Sequence, residues 1–504
     1  MKNKSTVKII LSFVFLSSVF FANAQTANFQ WTDWKDNTDV GFQNPILAFP
    51  SDSGFTTYSV EETGTQVFPP KIIYISKFDS VANLTLTLEF QLPKRQQKEA
   101  TLLKIIEGEN KLYFFSYIAL KKDKKNILYV QVYNNLNANI SEPKELYTLS
   151  IDKVKYSGFF NTAISEDKKT LAVSVNLPYL KKTKENIAVL LFDAALNKIS
   201  EVNRTLSFKS EKAYRENIFV SNEGITNIVK STNFFKKNPV TSVITITSST
   251  IEEETISSKG FYVSDSRVVT IKNKQYLIGF ATNNWKPTIS IGGRKDKSYF
   301  IYNISDRKLT INQEWSKETL KHALGKGFTG LTIKDVLMDN EKIYLIGDCK
   351  TKSSEVKSGA NFEYNYTYTN GPGVIVKFDV TGKVDYDIVL KYYETYVNDK
   401  QKIASFYPYL KKGKLHVLVN EKESVIKKKK IVAGYNKINA KVITINTFDS
   451  LGERRTAPFW NSKVGGEQNI IDFAPTSTVR KNDTSFYIYA YGKKYYDFGV
   501  LSIE

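Results

Sequence analysis

Sulfur and imidazole are scarce in this chain: 504 residues carry one cysteine, two histidines and two methionines. A lone thiol, Cys349, excludes an intrachain disulfide and any zinc site held by thiolates. It is expected to be an inert, half-buried thiol, with an intermolecular disulfide as the lesser alternative. Two histidines, His322 and His416, exclude a multi-histidine zinc centre. A Ser-His-Asp hydrolase needs a placed histidine and a nucleophile turn, and no G-x-S-x-G stretch occurs. His416 falls inside an apolar strand and His322 on a short helix, so both are expected to be structural. No P-loop or dinucleotide fingerprint follows a strand. "GKGFTG" (325–330) is glycine-rich but lacks the Lys-Ser/Thr ending. No EF-hand-like loop is present. Metal: none, and cofactors: none, are therefore the expectations. Alanine is scarce and helical periodicity is missing, whereas Tyr, Phe, Ile, Val and Thr abound, which favours strands.

Long apolar runs are also missing, except at the start. Lys2, Lys4 and Lys8 precede an apolar core, Ile9 to Phe21, and Ala22-Asn23-Ala24 fits small-residue cleavage. The run is too short to span a bilayer, which takes roughly 20 residues. Residues 1–24 are read as a signal peptide and 25–504 as one domain, soluble and exported to the periplasm or beyond. No cysteine follows the cleavage site, so no lipid anchor is expected.

What the chain has is a repeated pattern. A short strand leads through a polar turn into a strongly apolar second strand. A Lys-rich connection follows, then a pair of strands around another polar turn. The second strand recurs as "KLYFFSYI" (111–118), "TLAVSVN" (170–176), "ITNIVKS" (225–231), "QYLIGFA" (275–281), "KIYLIGD" (342–348), "KLHVLVN" (414–420) and "SFYIYAY" (485–491). Each follows a turn rich in Gly, Asn, Asp and Lys, which is hairpin chemistry. The Phe-Asp pairs at 78–79, 192–193, 378–379 and 448–449 mark the corner from third to fourth strand. There Phe192 is expected to pack between sheets, and Asp193 to accept backbone N–H groups in an Asx-type turn.

Four-stranded units in series predict an all-β chain folded as a β-propeller. Seven blades are expected, with an eighth if the strand pair at 71–90 forms a blade of its own. "FNTAISEDKKTLAVSV" (160–175) resembles the S-P-D-G-K repeat of TolB-like propellers, and more distantly WD40-like ones. Ser165 and Asp167 fall on that pattern, while Glu166 replaces its Pro. The resemblance implies architecture and carries no activity. "YYDFGVLSIE" (495–504) reads as a third strand lacking a fourth, so an N-terminal strand, 55–62 or 71–78, is expected to close the ring. One helix is expected from Ser316 to Leu324, capped by Ser316 and stopped at Gly325.

The chain carries a formal charge of +20. The second-to-third-strand connections hold most of that surplus, and in a propeller they share one face. Candidate anion-binding residues there are Lys121, Lys122, Lys181, Lys182, Lys236, Lys237, Arg294, Lys295, Lys427, Lys428, Lys429 and Lys430. The opposite face is expected to carry Asp79, Asp193, Glu252, Glu253, Glu254, Asp379 and Asp449. Such a field draws anions, although lysine-rich tips also serve solubility. In "NFEYNYTYTNGPG" (361–373), Tyr364, Tyr366 and Tyr368 alternate and would share one side of an extended segment, suited to sugar or protein contact.

The expected function is an exported, non-enzymatic binding or scaffold module. Its basic face would meet a protein, an anionic polysaccharide or the envelope surface; an intracellular nucleic acid is not expected. An alternative is a carbohydrate hydrolase or lyase with carboxylates in the central channel, for which Asp335 is a candidate. A third is a structural component of the envelope.

Overall fold

In the computed structural model, alternating apolar residues on successive strands gather into eight antiparallel sheets, in sequence order. The described residues are 27–32, 35–36, 45–60, 72–151, 158–178, 183–209, 215–232, 239–256, 260–283, 295–322, 327–357, 363–392, 394–397, 405–421, 442–461, 471–492 and 495–503. The expected leader, 1–24, lies outside them. Blades 1 to 7 span 46–91, 101–150, 159–209, 215–255, 262–314, 331–390 and 406–461. Blade 8 joins 471–503 to the N-terminal strand Ala27–Trp31. The seven second strands read from the sequence belong to blades 2 to 8. The eighth is Gly54–Val60 of blade 1, which also contains the pair at 71–90.

Each blade is apolar on both faces and needs two neighbours. Eight buried clusters answer eight junctions among the described residues. Between blades 1 and 2, Ala48, Ile73 and Ile75 meet Leu112 and Phe114. Between blades 6 and 7, Ile346 and Ile375 meet Phe406 and Val417. Between blades 8 and 1, Tyr487, Tyr489 and Phe498 meet Phe55 and Phe78. That last junction joins the two ends of the series, so the stack closes into a propeller.

The closing strand is Ala27–Trp31, antiparallel to Tyr495–Ile503, with Ala27 opposite Ile503 and Trp31 opposite Gly499. Within the segments 55–62 and 71–78, expected in that role, the described residues belong to the second and third strands of blade 1 instead, Gly54–Val60 and Ile72–Asp79. They are apolar enough to be internal. A closing strand has one free edge, and Phe29, Gln30 and Trp31 bury only part of their surface.

Four corners share one construction. The carboxylate of Asp193 accepts from the N–H groups of Ala195 and Asn197, both at 2.8 Å. Asp79, Asp379 and Asp449 hold the residues two and four places on in the same way. The preceding Phe78, Phe192, Phe378 and Phe448 are buried in the cores toward the previous blade. From blade 2, Lys111 and Tyr113 donate to the carbonyl of Ala194, seating the blade 3 corner. The backbone N–H of Asn197, then its side chain, holds the Asp193 carboxyl below the usual range. Its folded pKa is depressed, so this stabilisation is complete above the ordinary carboxylate range and fades as pH falls through and below it. Asp193→Ala is expected to cost about 1 kcal/mol and Asp193→Asn less, with the gap between wild type and Ala narrowing in acid. Urea unfolding across pH checks this.

The helix is shorter than expected, Lys317–Lys321, with Ser316 accepting from the Thr319 N–H. Ser316 and Thr319 also donate to Asp387, pinning the helix to blade 6. The expected stop at Gly325 lies outside the described residues. No helix among the described residues is long and apolar enough to cross a membrane.

Candidate functional site

The first strand of each blade is the innermost in a propeller, and several of them carry a charged residue that meets the next blade. Arg267 of blade 5 pairs with Asp335 of blade 6 at 3.2 Å. Asp335, the expected channel acid, is thus tied to a cation. Glu107 at the end of the blade 2 strand pairs with Lys168 of blade 3 at 2.9 Å. The expected pair of facing acids is not among the contacts these carboxylates make.

Toward the face where first strands turn into second strands, the channel opens into a cavity of about 680 Å³, lined by blades 2 to 6. Apolar walls come from Phe219, Val269, Val336 and Met338, and cations from Lys104 and Arg267. Contacts between turns lace its mouth. Asn222 accepts from the Asp167 N–H at 3.1 Å, and Lys272 pairs with Glu341. The Ser165-Glu-Asp-Lys turn, read from the TolB-like pattern, belongs to this rim. Ser165 donates to Asp167 at 2.6 Å and accepts from the Thr170 N–H. Lys168 takes a positive φ of 61° there and reaches back to Glu107.

Lys104 was not singled out in the sequence, although "TLLKIIE" puts a lysine among apolar neighbours on a first strand. Its ammonium donates to the Thr162 carbonyl at 2.7 Å, while the residue as a whole stays exposed.

The opposite face carries the second-to-third connections. Lys121 and Lys122 are exposed at the blade 2 tip, and Lys295 is exposed on Lys295–Asp296 between blades 5 and 6. Lys181, Lys182, Lys236, Lys237, Arg294, Lys427, Lys428, Lys429 and Lys430 lie outside the described residues. In blade 6 the second and third strands run far past the sheet, as Lys342–Lys357 and Glu363–Asp379. The ladder continues to Lys357 opposite Glu363. A third short strand, Glu394–Val397, joins this ribbon. Tyr364, Tyr366 and Tyr368 lie opposite Val356, Ser354 and Lys352, and Tyr396 lies opposite Tyr368. Directly opposed residues share a face of a sheet and alternate ones return to it. The three tyrosines thus occupy alternate register positions of the strand, with Lys352 and Tyr396 paired to the last of them.

Other expectations resolve differently. Glu252, Glu253 and Glu254 sit on the outer strand Ile251–Thr255 rather than at a turn tip. Alternation sends Glu252 and Glu254 to Arg307 of blade 5, at 2.5 and 3.9 Å. It sends Glu253 to the N–H and hydroxyl of Ser207 in blade 3. These acids bind blades together instead of forming a free acidic face. Cys349 is buried at 3% exposure, which rules out the intermolecular disulfide, and burial pushes its thiol pKa up. His416 is buried on its strand, stacked on Tyr409 and bonded to Thr447, and burial pushes its pKa down to about 4. His322 caps the end of the short helix.

No protein-family model matches the chain. Among curated proteins it is 25% identical over 205 residues to the serine/threonine-protein kinase TEL1 of Saccharomyces cerevisiae, covering 38% of this chain and 7% of that protein. It thus spans a small fraction of that relative's length. Among solved structures it is similar to the WD40 domain of SCAP from fission yeast, at 10% identity and a TM-score of 0.38, covering 95% of this chain and 98% of that one. It is also similar to the β-propeller domain of the Trilobed protease from Pyrococcus furiosus, at 10% identity and a TM-score of 0.34, covering 71% and 94%. These are likenesses of fold; the architecture stands on the order of the sheets and the eight cores between them.

Proposed function

We propose that this chain is an exported, non-enzymatic propeller, matured at Gln25, that works as a binding platform for an acidic polysaccharide of the cell envelope. The propeller fold is consistent with a binding or scaffold module, and eight closed blades make a rigid base for presenting loops. The observation that carries the finer reading is the register of the blade 6 ribbon. It sets Tyr364, Tyr366 and Tyr368 at alternate positions, with Lys352 and Tyr396 paired to Tyr368. Tyrosine offers a flat apolar body and a polar tip, and lysine supplies a counter-charge for a carboxylated or sulfated sugar. Lys121 and Lys122 add exposed charge on the same side of the ring. The reading extends to Lys181, Lys182, Lys236, Lys237, Arg294, Lys295 and Lys427–Lys430 on the connections of that side.

The test is binding to immobilised alginate at low and high salt, with neutral dextran as the comparison. Affinity is expected to fall roughly tenfold or more as salt screens the lysines. The triple change Tyr364→Ser, Tyr366→Ser, Tyr368→Ser is expected to weaken it by a similar factor, with unchanged thermal unfolding. Salt-insensitive binding, equal binding to dextran, or capture only of an acidic protein would remove the polysaccharide reading.

A further inference from the structure

The second strand of blade 6 leaves its sheet at Asp348. Leu331, the start of the first strand, pairs with Cys349, and the ladder to the third strand slips once between Asp348 and Lys350. Beyond that point the strand belongs to the ribbon. The Asp348 side chain stays behind: it is fully buried, and its carboxylate takes two hydroxyl donors from farther along the chain. Tyr392 donates to one oxygen, and Ser405 donates to the other at 2.9 Å. Both donors are buried as well. Lys350, exposed, stands 3.8 Å away. A dry carboxylate gripped by two hydroxyls is a strong tie. Charge-assisted hydrogen bonds exceed neutral ones, and losing one leaves buried charge unsatisfied.

The two donors bracket one piece of chain. Tyr392 lies just past the outer strand of blade 6, Val384–Leu390, and Ser405 just before the first strand of blade 7, Phe406–Lys411. The chain between them therefore departs from and returns to a single carboxylate. Within it runs Glu394–Val397, the third strand of the ribbon. Tyr392 and Glu394 are next-but-one neighbours, and the Tyr392 ring also packs edge-on against Phe406 at 5.3 Å. Fixing that ring fixes where the strand begins on its partner. A slip of one residue would take Tyr396 out of its pairing with Tyr368 and reverse every side chain of the strand. We propose that Asp348 is the positioning residue of the ribbon: by holding Tyr392 and Ser405 it sets the register of Glu394–Val397, and with it the surface that meets the polysaccharide. The tie stands on these contacts, and its service to binding rests on the polysaccharide reading.

Hydrogen exchange of the full mature chain, followed at Glu394–Val397 and in the blade 2 strands, tests the tie. Alginate affinity of the same samples tests its service to binding. Asp348→Ala is expected to speed exchange at Glu394–Val397 by roughly tenfold or more, the worth of one hydrogen bond to a charged group, and to weaken alginate binding. Blade 2 should be unaffected. Asp348→Asn keeps an acceptor for Tyr392 and gains a donor for Ser405, so it is expected to restore most of both. If Asp348→Ala fails to fold, Tyr392→Phe and Ser405→Ala decide; each removes one donor and should speed the same exchange. Unchanged exchange at Glu394–Val397 in the folded variants, a rise there no larger than in blade 2, or Asp348→Asn no better than Asp348→Ala would each overturn the tie. Faster exchange with parental alginate affinity would overturn its service to binding. A parent that binds no alginate would remove the polysaccharide reading and leave exchange to judge the tie.

Discussion

A mature chain shortened to begin after Asp36 is expected to lose about 3–5 kcal/mol of stability and to self-associate. Removing Ala27–Trp31 takes away the outer strand of blade 8, which pairs residue for residue with Gly499–Ile503. Phe29 and Trp31 stack at 6.1 Å and pack on the core shared by blades 7 and 8, which includes Ile445, Ile488 and Leu501. Each ring is only partly buried, so each contributes about 1–2 kcal/mol rather than a full aromatic's worth. Lost ladder hydrogen bonds add about 0.5–1.5 kcal/mol apiece where the freed groups stay dry. The new edge, Tyr495–Ile503, is long, flat and apolar, the kind that pairs with another chain. Gly499 gives a sharper version of the experiment. A Cβ there would come within 2.7 Å of both the Gln30 carbonyl and the Trp31 ring. Gly499→Val should therefore expel the closing strand without deleting anything. Sedimentation and urea unfolding would show dimers or larger species and a lower midpoint for both variants. Midpoints equal to the parent's would mean the ring does not depend on this strand.

What the sequence revealed and what it hid divide along the reach of each interaction. The Phe-Asp corners were legible because a turn is local. Asp193 finds its donors at Ala195 and Asn197, and Phe192 has nowhere to go but the adjacent core. The second strands were legible because buried central strands are continuously apolar. The first blade was undercounted because its outer strand, "LTLTLEFQ", alternates and resembles an isolated hairpin arm. The closing strand was misplaced because its partner lies at the other end of the chain, and nothing in "ANFQW" names that partner. Tyrosine alternation was plain, but the ribbon's length and the arrival of Tyr396 depend on pairings with Lys352 and Tyr368 that a sequence does not state. Lys104 hid as one lysine among many, since the Thr162 carbonyl it donates to belongs to the neighbouring blade.

The same blindness covers a buried charge cluster between blades 3 and 4, where the second large effect is expected. Lys230 lies mid-strand in Thr226–Thr232, and its side chain is fully buried. Glu185 is buried beside it on Lys184–Asp193. Glu216 faces Lys230 directly across the blade 4 ladder. The Lys230 ammonium donates to Glu185, to Asn176 at 2.9 Å and to Glu216 at 3.3 Å. Glu216 also accepts from Ser174 and Asn176 of blade 3, so the cluster ties two blades together through charge. Lys230→Met would leave two carboxylates dry beside a methyl group. The expected cost is about 3–5 kcal/mol, because stranding buried charge costs more than the pair itself contributes. Replacing all three ions, Lys230→Met with Glu185→Met and Glu216→Leu, removes charge along with countercharge and is expected to recover most of that loss. Urea unfolding of the parent, single and triple variants separates the two cases. A single variant within 1 kcal/mol of the parent would mean that water reaches the cluster, whereas a triple variant no better than the single would mean that Asn176 and Ser174, left without their acceptor, carry the penalty.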